Sequence, residues 1–433
     1  MLNKFLQIFK IKDLRRKILF ILGIFAIFRF LASIPIPGVE KQNLQLFFEQ
    51  FRMLGIANIF TGGALERLSL VMLGLGPYIT ASVILQLLTL VFPQLEKMYK
   101  EEGEAGREKF EQYSRILTVP IAFLQAFGML TFFSRQGAIS KVSPLTMFNA
   151  TLTVTAATLL LMWLGELITE KGIGNGVSLL IFAGIIADFP SNTGAMISEY
   201  KKLLAQGANF SRVFLSYFLF FVMCLFIIAG VTFVNEAKRE IPVSYAKRVR
   251  GRLMYGGTST YLPLSINPAG VMPIIFALSI LTFPSMIANF LANNETILGK
   301  IAREVNLFFE NPIIHTILYF ILVFLFTYFY TLVTFDPKSI SENLQKSGGF
   351  IPGIRPGEST AKHLRYTLNR ILPLGALFLS TIAIMPSVVQ AITKITAFMF
   401  LVGGTSVLIL VSVALETIRA INAQLEMREY ETF

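Results

Sequence analysis

Apolar runs of roughly 20 residues, the length that spans a bilayer as an α-helix, recur along the whole chain between shorter polar segments. We count ten of them, at residues 18–33, 69–92, 114–133, 148–168, 177–189, 213–234, 268–291, 312–335, 371–392 and 397–418. The pattern predicts an all-α polytopic membrane protein. The fifth run is the shortest, and its length alone also fits a re-entrant segment or a buried helix.

The distribution of Lys and Arg decides whether the fifth run spans the membrane. With ten spans and a cytosolic N-terminus, 26 of the 38 basic residues fall in cytosolic segments, 11 fall in external segments and Arg29 lies within the first span. Without the fifth span, the two most basic loops would be external, against the tendency of basic loops to stay in the cytosol. The charges therefore predict ten transmembrane helices with both termini in the cytosol.

The N-terminal segment joins basic residues to an apolar run, as a secretory signal peptide also does. Arg29 interrupts this run, and no small-residue cleavage motif precedes Pro35. These two features favour an uncleaved first span. Because a charge in hydrocarbon is costly, we expect Arg29 to face the interior of the helix bundle or the external interface.

Composition supports a membrane protein and offers little visible chemistry. The 433 residues are 54% hydrophobic and 15% charged, whereas soluble domains carry about 25% charged residues. The single cysteine, Cys224, cannot form an internal disulfide, and His315 and His363 fit no metal-ligand spacing. We find no HExxH, GxSG, GxGD or phosphate-binding loop. The sequence predicts neither an enzyme nor a bound cofactor or metal.

Ionisable residues are nearly missing from the centres of the spans. Glu166, Asp188 and Glu416 lie near predicted span ends, where a solvated position is the simpler expectation. Coupled solute transporters usually place ionisable residues at mid-membrane. The sequence thus disfavours a coupled small-solute transporter, which stays open as the alternative function.

Two spans begin with residues that interrupt helices. Gly74 and Pro77 stand at the head of the second span, and Gly270 and Pro273 have the same spacing at the head of the seventh. Glycine admits conformations closed to other residues, and proline removes a backbone donor. If the spans form two sets of five, these are the second members of each set, and the odd number per set makes the repeat inverted. Interrupted helices at matching positions of inverted halves indicate a functional site between the halves.

Two long cytosolic loops, residues 236–263 and 336–370, are rich in basic residues. Basic loops can serve only to enforce topology, but a few charges near each helix end suffice for that purpose. Projecting loops of this length suit docking to an acidic protein surface or to RNA phosphates.

Several distinctive strings follow one another in order along the chain. "IPIPG" follows the first span, "EGEAGREK" lies in the cytosolic segment after the second, and "MWLGELITEKGIGNGVSLLIFAGI" joins spans four and five. "YAKRVRGR", "STYLPLSINPAGVMPIIFA", "NLQKSGGFIPGIRPGEST" and "GGTS" continue the series. In these strings, and over nearly its whole length, the chain resembles the SecY protein-translocase family.

The resemblance implies two inverted five-helix halves, residues 1–195 and 196–433, around a central pore. Such a pore passes unfolded preproteins and releases transmembrane segments sideways into lipid, between spans two and three on one side and seven and eight on the other. The family's constriction is a ring of aliphatic side chains, which excludes ions by dewetting. By resemblance the ring corresponds to Leu75, Ile79, Val177, Ile181, Ile275 and Ile409.

The resemblance also implies a plug and a lateral gate. The plug, residues 59–69, is a short external helix that blocks the resting pore, and it contains Thr61, Gly62, Gly63, Ala64, Leu65, Glu66 and Arg67. The gate includes Gly74, Pro77, Gln86, Asn267 and Pro273. An interhelical hydrogen bond from Gln86 or Asn267, worth about 1 kcal/mol, would help to hold such a gate shut.

The basic loops correspond to those with which the family docks the ribosome, including ribosomal RNA, and the SecA motor. Arg248, Arg252, Lys338 and Arg355 occupy positions that matter for docking in the family, whereas Glu240 stands where many members have a basic residue. The resemblance further implies SecE and SecG subunits, signal peptides and preprotein chains, membrane lipids, and SecDF and YidC as partners. It places the chain in the bacterial cytoplasmic (inner) membrane.

Overall fold

The computed structural model describes residues 11–36, 64–65, 67–100, 102–135, 143–205, 210–245, 248–250, 253–255, 259–291, 297–393 and 404–431. Its helices are α1 Lys12–Ser33, α2 Gly76–Val91, α3 Pro93–Lys100, α4 Gly103–Arg135, α5 Pro144–Lys171, α6 Gly176–Ala205, α7 Phe210–Glu236, α8 Met272–Leu291, α9 Ile297–Glu310, α10 Pro312–Thr334, α11 Pro337–Lys346, α12 Glu358–Thr393 and α13 Gly404–Glu431. Its strands are β1 Lys238–Tyr245, β2 Arg248–Arg250, β3 Leu253–Tyr255, β4 Ser259–Ser265 and β5 Gly349–Phe350.

Each of the ten predicted spans overlaps one helix of the described residues, in the order α1, α2, α4, α5, α6, α7, α8, α10, α12 and α13. Seven helices in the described part of the chain are long and apolar enough to cross a membrane, and α2 adds an eighth if it is counted with α3, from which a 112° bend separates it. Met272–Leu281 of α8 is a shorter apolar helix, and α1 contributes a further 22 residues. The chain is therefore a helical membrane protein built on ten main helices.

Most helices extend beyond the apolar runs that predicted them, and the second and fifth spans differ from their helices in instructive ways. The second begins at Gly76 instead of residue 69, because residues 67–75 run through turns and an isolated bridge and Gly74 has a φ of 55°. The fifth, predicted to be short, lies in a helix of 30 residues that continues through Pro190 to Ala205. Its apolar run ends at Phe189, so hydropathy marks only the first half of this helix.

The two sets of five helices repeat one packing pattern. In the first set, α1 contacts α5 and α6, α2 contacts α4, α4 contacts α5, and α5 contacts α6. The corresponding pairs in the second set, α7 with α12 and α13, α8 with α10, α10 with α12, and α12 with α13, are also in contact. Because each set has an odd number of spans, this repetition is the packing expected of inverted halves.

The halves meet along two seams. On one side, which we call the front seam, α8 packs against α2 and α4. On the other, the back seam, α6 packs against α7 and α13. A large apolar core connects these elements and includes side chains from both halves.

A small antiparallel sheet replaces part of the two predicted basic loops. β1 pairs with β4 over seven residues, and β5 pairs with the end of β1 through Ser244 opposite Phe350 and Tyr245 opposite Gly349. Ile241, Val243 and Leu264 pack beneath it with side chains from the second loop. The two loops thus form one folded unit, which we call the platform.

Candidate functional site

The heads of α2 and α8 have the same backbone geometry. Gly74 and Gly270 both lie in the left-handed region, with φ of 55° and 61°, where residues with a Cβ are disfavoured. Each is followed two residues later by a helix whose first turn contains a proline. Proline fits the first turn because its missing N–H has no helical partner there. The interrupted heads predicted from the sequence are therefore helix starts that follow a left-handed glycine.

The six predicted ring side chains share one apolar cluster. Leu75, Ile181, Ile275 and Ile409 are buried members with 0–6% exposure. Ile79 and Val177 are partly buried and pack against the same cluster. These residues come from the head and first turn of α2, from α6, from α8 and from α13, so that both halves and both seams contribute. All six lie in one large apolar core that both halves share, and their arrangement as a ring stays a prediction.

Part of the predicted plug lies on the same cluster. Ala64 is fully buried within it, and Leu65 is buried in a neighbouring cluster formed with α4 and α5. Arg67 is exposed. Thr61, Gly62, Gly63 and Glu66 lie outside the described residues.

The base of the plug is fastened to the segment after α1. Ile36 N donates to Leu68 O at 2.9 Å, and Leu70 N donates to Ile34 O at 3.0 Å. Leu68 itself has a φ of 42°, a conformation that costs a branched residue about 1–3 kcal/mol. Its side chain is fully buried, and this burial offsets the strain.

Gln86 and Asn267, the polar residues assigned to the gate, make no hydrogen bond to each other in the described structure. Gln86 Nε2 reaches Ser82 Oγ of its own helix at 3.5 Å, and Gln86 Oε1 is buried without a partner. Asn267 Nδ2 donates to Asn235 Oδ1 at 3.2 Å and to Gly270 O at 3.0 Å, both within its own half. The expected hydrogen bond across the gate is absent here, because each amide group turns toward its own half.

Asp188, Glu166 and Glu416 were expected to be solvated, and for Asp188 this was wrong. The Asp188 side chain is 7% exposed, and its Oδ1 lies 3.8 Å from Arg29 Nη1. This ion pair joins α6 to α1, and it gives Arg29 a partner in the bundle interior. Glu166 is 22% exposed and accepts from Arg115 Nε at 2.7 Å, while Glu416 is exposed.

A polar network joins the corresponding helices of the second half. Arg419 of α13 donates to Glu236 Oε1 at 2.7 and 3.1 Å and to the Asn235 carbonyl at 2.6 Å. Asn235 Nδ2 in turn donates to Ser412 Oγ at 3.0 Å. The end of α7 is thereby bonded to α13, just as the end of α1 is paired with α6. Sequence reasoning missed both connections.

The platform carries those of the predicted docking residues that the structure describes. Lys338 is exposed in the first turn of α11, whose cap is Asp336, and Arg355 is exposed between Gly353 and Gly357, with φ of 81° and 95°. Thr360 Oγ1 donates to the Arg355 carbonyl at 3.0 Å, which fixes the backbone of the turn. Glu240 is exposed on β1. Arg248 lies on β2, where only its backbone is described, and Arg252 lies outside the described residues.

Comparison with known proteins places these features in context. The family model described as SecY matches residues 69–418. The protein translocase subunit SecY of Streptomyces scabiei is 43% identical over 449 residues and covers all of both chains. That of Thermotoga maritima is 43% identical over 448 residues, covering all of this chain and 98% of its own.

Solved structures share the fold at lower sequence identity. One described as "The structure of a protein conducting channel" has a TM-score of 0.64 and 18% identity, and the match covers 93% of this chain and 91% of the other. Sec61 in the canine ribosome-channel complex from the endoplasmic reticulum has a TM-score of 0.61 and 17% identity, with the same coverage.

Proposed function

Since the chain belongs to the SecY family, we propose that it is the protein-conducting channel subunit of a Sec translocon. It passes unfolded preproteins across the membrane and releases transmembrane segments sideways into lipid. The observation that supports this proposal is that the six aliphatic side chains of the predicted ring, from α2, α6, α8 and α13, all belong to one apolar core shared by both halves. External motors drive the passage, and the chain itself performs no covalent chemistry.

The ring acts as a seal. An aliphatic constriction excludes ions because a narrow apolar passage is poorly wetted, and it has no fixed charge that would retain a moving polypeptide. Leu75 and Ile79 are four residues apart at the head of α2, and Val177 and Ile181 are four apart on α6, so each pair faces the same direction. Flexible aliphatic side chains of this kind can close around many different substrate side chains.

Residues 59–69 form a plug that fills the external side of the resting pore. Burial of Ala64 in the apolar core supports this role, and the hydrogen bonds at Leu68 and Leu70 attach the end of the plug segment to the chain that follows α1. The lateral gate is the front seam, where α8 meets α2 and α4. Gly74, Pro77, Gln86, Asn267 and Pro273 line or flank this opening.

The platform docks the driving partners. Arg355 and Lys338 project from ordered turns, and the planar guanidinium of arginine pairs with carboxylates or phosphates through two hydrogen bonds. By resemblance to the family, Arg248 and Arg252 take part in the same docking function. We assign the SecA motor and the ribosome to this surface, and SecE, SecG, SecDF and YidC to the assembled translocon. The bacterial cytoplasmic membrane, with both termini in the cytosol, is the location consistent with the charge distribution.

The seal is tested by ion conductance. Ile79→Ser and Ile181→Ser should wet the constriction and raise the resting ion leak of the purified channel in a planar bilayer, while preprotein passage continues. Matched controls are Ile84→Ser and Ile186→Ser on the same helices; Ile186 is 45% exposed. An unchanged leak in the ring variants, or an equal leak in the controls, would refute the seal. Deletion of residues 62–68 tests the plug separately and should also raise the leak.

Transport assays separate the channel from the alternative transporter. The channel requires that proteoliposomes with SecA and ATP take up an unfolded preprotein only when it carries a signal sequence. Ion-gradient-driven uptake of a small solute, without partners, would instead support a coupled transporter.

Docking is tested at Arg355. Arg355→Glu places like charge against an acidic or phosphate site, so SecA-driven translocation should fail while membrane insertion and channel conductance persist. Arg107→Glu, at an exposed cation on α4 outside the platform, is the control. For ribosome binding, Arg355→Ala should lower the salt slope by about one, as for one lost phosphate contact. Normal motor activity and parallel salt slopes would leave the platform with a topology role only.

A further inference from the structure

A cavity of about 570 Å³ lies where α1, α5 and α13 meet. Arg16 and Lys17 from α1 and Lys171, the last residue of α5, contribute three cations to its lining. Phe20 and Leu425 contribute apolar walls. The volume is within the range of ligand sites, about 300–1,000 Å³. None of the ring, plug, gate or platform residues named above lines it.

The cavity carries an excess of positive charge. Among the described residues that line it, Asp13 is the one carboxylate, against three cations. Among the described residues, no carboxylate oxygen lies within 4 Å of a side-chain nitrogen of Arg16, Lys17 or Lys171. A concave surface lined with one sign of charge concentrates ions of the opposite sign. The cavity therefore suits an anion.

The cations lie at the boundary between apolar and polar chain. The apolar run of α1 begins at Ile18, directly after Lys17, and Lys171 follows the fully buried Ile168 by three residues on α5. Arg and Lys at such positions place their charge at the level of lipid headgroups, while their stems lie along apolar surface. Phe20, one turn further into the apolar part of α1, offers a surface for a hydrocarbon chain.

We propose that this cavity binds the phosphodiester headgroup of an anionic phospholipid, with Arg16, Lys17 and Lys171 around the phosphate and Phe20 beside the glycerol and acyl chain. A phospholipid can contact both the cations and the apolar walls of the cavity, whereas a free phosphate can contact only the cations. The site joins the start of α1 to the ends of α5 and α13. It is independent of the proposed conduction function and depends only on insertion in a membrane.

The test measures retention of lipid by the full-length chain. The protein is purified from nanodiscs of mixed phosphatidylglycerol and phosphatidylcholine, and bound lipids are identified by native mass spectrometry. Wild type should retain phosphatidylglycerol in preference to phosphatidylcholine. Each removed cation should weaken retention about 5-fold, so that Lys171→Gln loses about 5-fold and Arg16→Gln with Lys17→Gln about 30-fold, as expected for basic residues near an anionic membrane surface.

Charge-matched variants distinguish a site from a general surface effect. Lys12→Gln with Arg15→Gln removes the same charge from the same helix at exposed positions outside the cavity, and it should leave retention unchanged. Arg16→Lys with Lys17→Arg keeps the charges and should keep the lipid, which controls for folding.

Four results would overturn the proposal. Equal retention of the two lipids by wild type, or equal loss in the Lys12 and Arg15 variant, would show that no specific site exists. Full displacement of the lipid by glycerol phosphate in solution would assign the cavity to a soluble phosphate. Loss of the lipid on assembly with partner subunits would assign it to an acidic protein segment.

Discussion

Arg29 and Asp188 connect the first and fifth helices of the N-terminal half, with 3.8 Å between Nη1 and Oδ1 and only 7% of the Asp188 side chain exposed. Arg419, Glu236 and Asn235 connect the same two helices of the C-terminal half through three hydrogen bonds of 2.6–3.1 Å. There the ion-pair side chains are 40% and 50% exposed. The first connection has better burial, and the second has better geometry.

The contrast separates two ways in which a charge stabilises a helix bundle. A buried carboxylate makes its partner costly to remove, because an uncompensated charge in a poorly polarisable interior is strongly unfavourable. The two arginines are almost equally exposed, at 37% and 40%, so the difference lies in the carboxylates. A solvated carboxylate such as Glu236 gains less from each bond, because water competes for it. The side-chain connections between main helices described above all join two helices of one half. Across the seams, the contacts described are apolar.

The largest expected effect follows from removal of Arg29. Arg29→Ala should lower the free energy of unfolding by about 2 kcal/mol, less than the 3–5 kcal/mol of a fully buried pair because Arg29 is partly exposed. The measurement is unfolding of the purified chain in mixed micelles by a denaturing detergent. Arg15→Ala, exposed on the same helix, should change little.

The double variant Arg29→Ala with Asp188→Asn sharpens this prediction. It should be more stable than Arg29→Ala alone, because it removes the buried charge together with its partner. A double variant less stable than Arg29→Ala would mean that the cost does not arise from the buried carboxylate.

Removal of Arg419 should cause the second-largest loss of stability. Arg419→Ala is expected to cost about 1 kcal/mol in the same assay, since its hydrogen bonds are well formed but half solvated. Arg419→Lys should recover less than half, because an ammonium cannot reproduce the planar fork. If Arg419→Ala costs more than Arg29→Ala, geometry and not burial decides the strength of these connections.

The hydrogen bond between Asn235 and Ser412 joins uncharged groups, and its loss should have a smaller effect on stability. Ser412→Ala removes the acceptor of the Asn235 amide and should cost about 0.5–1 kcal/mol. Ser380→Ala is the matched control, because Ser380 is equally buried but bonds only to Ala376 O of its own helix among the described residues. Equal costs in the two variants would show that the bond between α7 and α13 adds nothing.

The smallest effect is expected at the front seam. Gln86 makes no bond across the seam, and its Oε1 is buried without a partner. Gln86→Leu should therefore be neutral or slightly stabilising, within about 0.5 kcal/mol, because it removes an unsatisfied polar atom. A loss above 1 kcal/mol would show that a polar contact does hold the two halves together there.

The helices could be predicted from the sequence because apolar length is a local property. Each predicted span overlaps a helix in the described part of the chain, and the matched glycines at positions 74 and 270 indicated where the halves repeat. Helix ends were less certain, as at α6, where the helix continues beyond its apolar run. The small sheet was missed, although Ile241, Val243 and Tyr245 alternate as in a half-buried strand.

Unlike the helices, the residues of the candidate site could not be identified from local patterns in the sequence. Aliphatic residues such as Ile275 and Ile409 occur both in pore rings and in ordinary cores. Only the resemblance to the family therefore selected them as ring residues. The partner of Arg29 lies on α6, far away in sequence, and only helix packing brings it near. The orientation of Gln86 and Asn267 toward their own halves depends on side-chain geometry, which the residue types do not specify.

The connection between the first and fifth helices of each half also affects the order in which the chain assembles during synthesis. By Ala205, the end of α6, all five main helices of the first half and both members of the Arg29–Asp188 pair have been made. This half can close its own helix contacts before the second half leaves the ribosome. The second half likewise completes its contacts only when Arg419 has been synthesised. The order of synthesis thus allows the first half to complete its internal contacts before the last helix of the second half has been made.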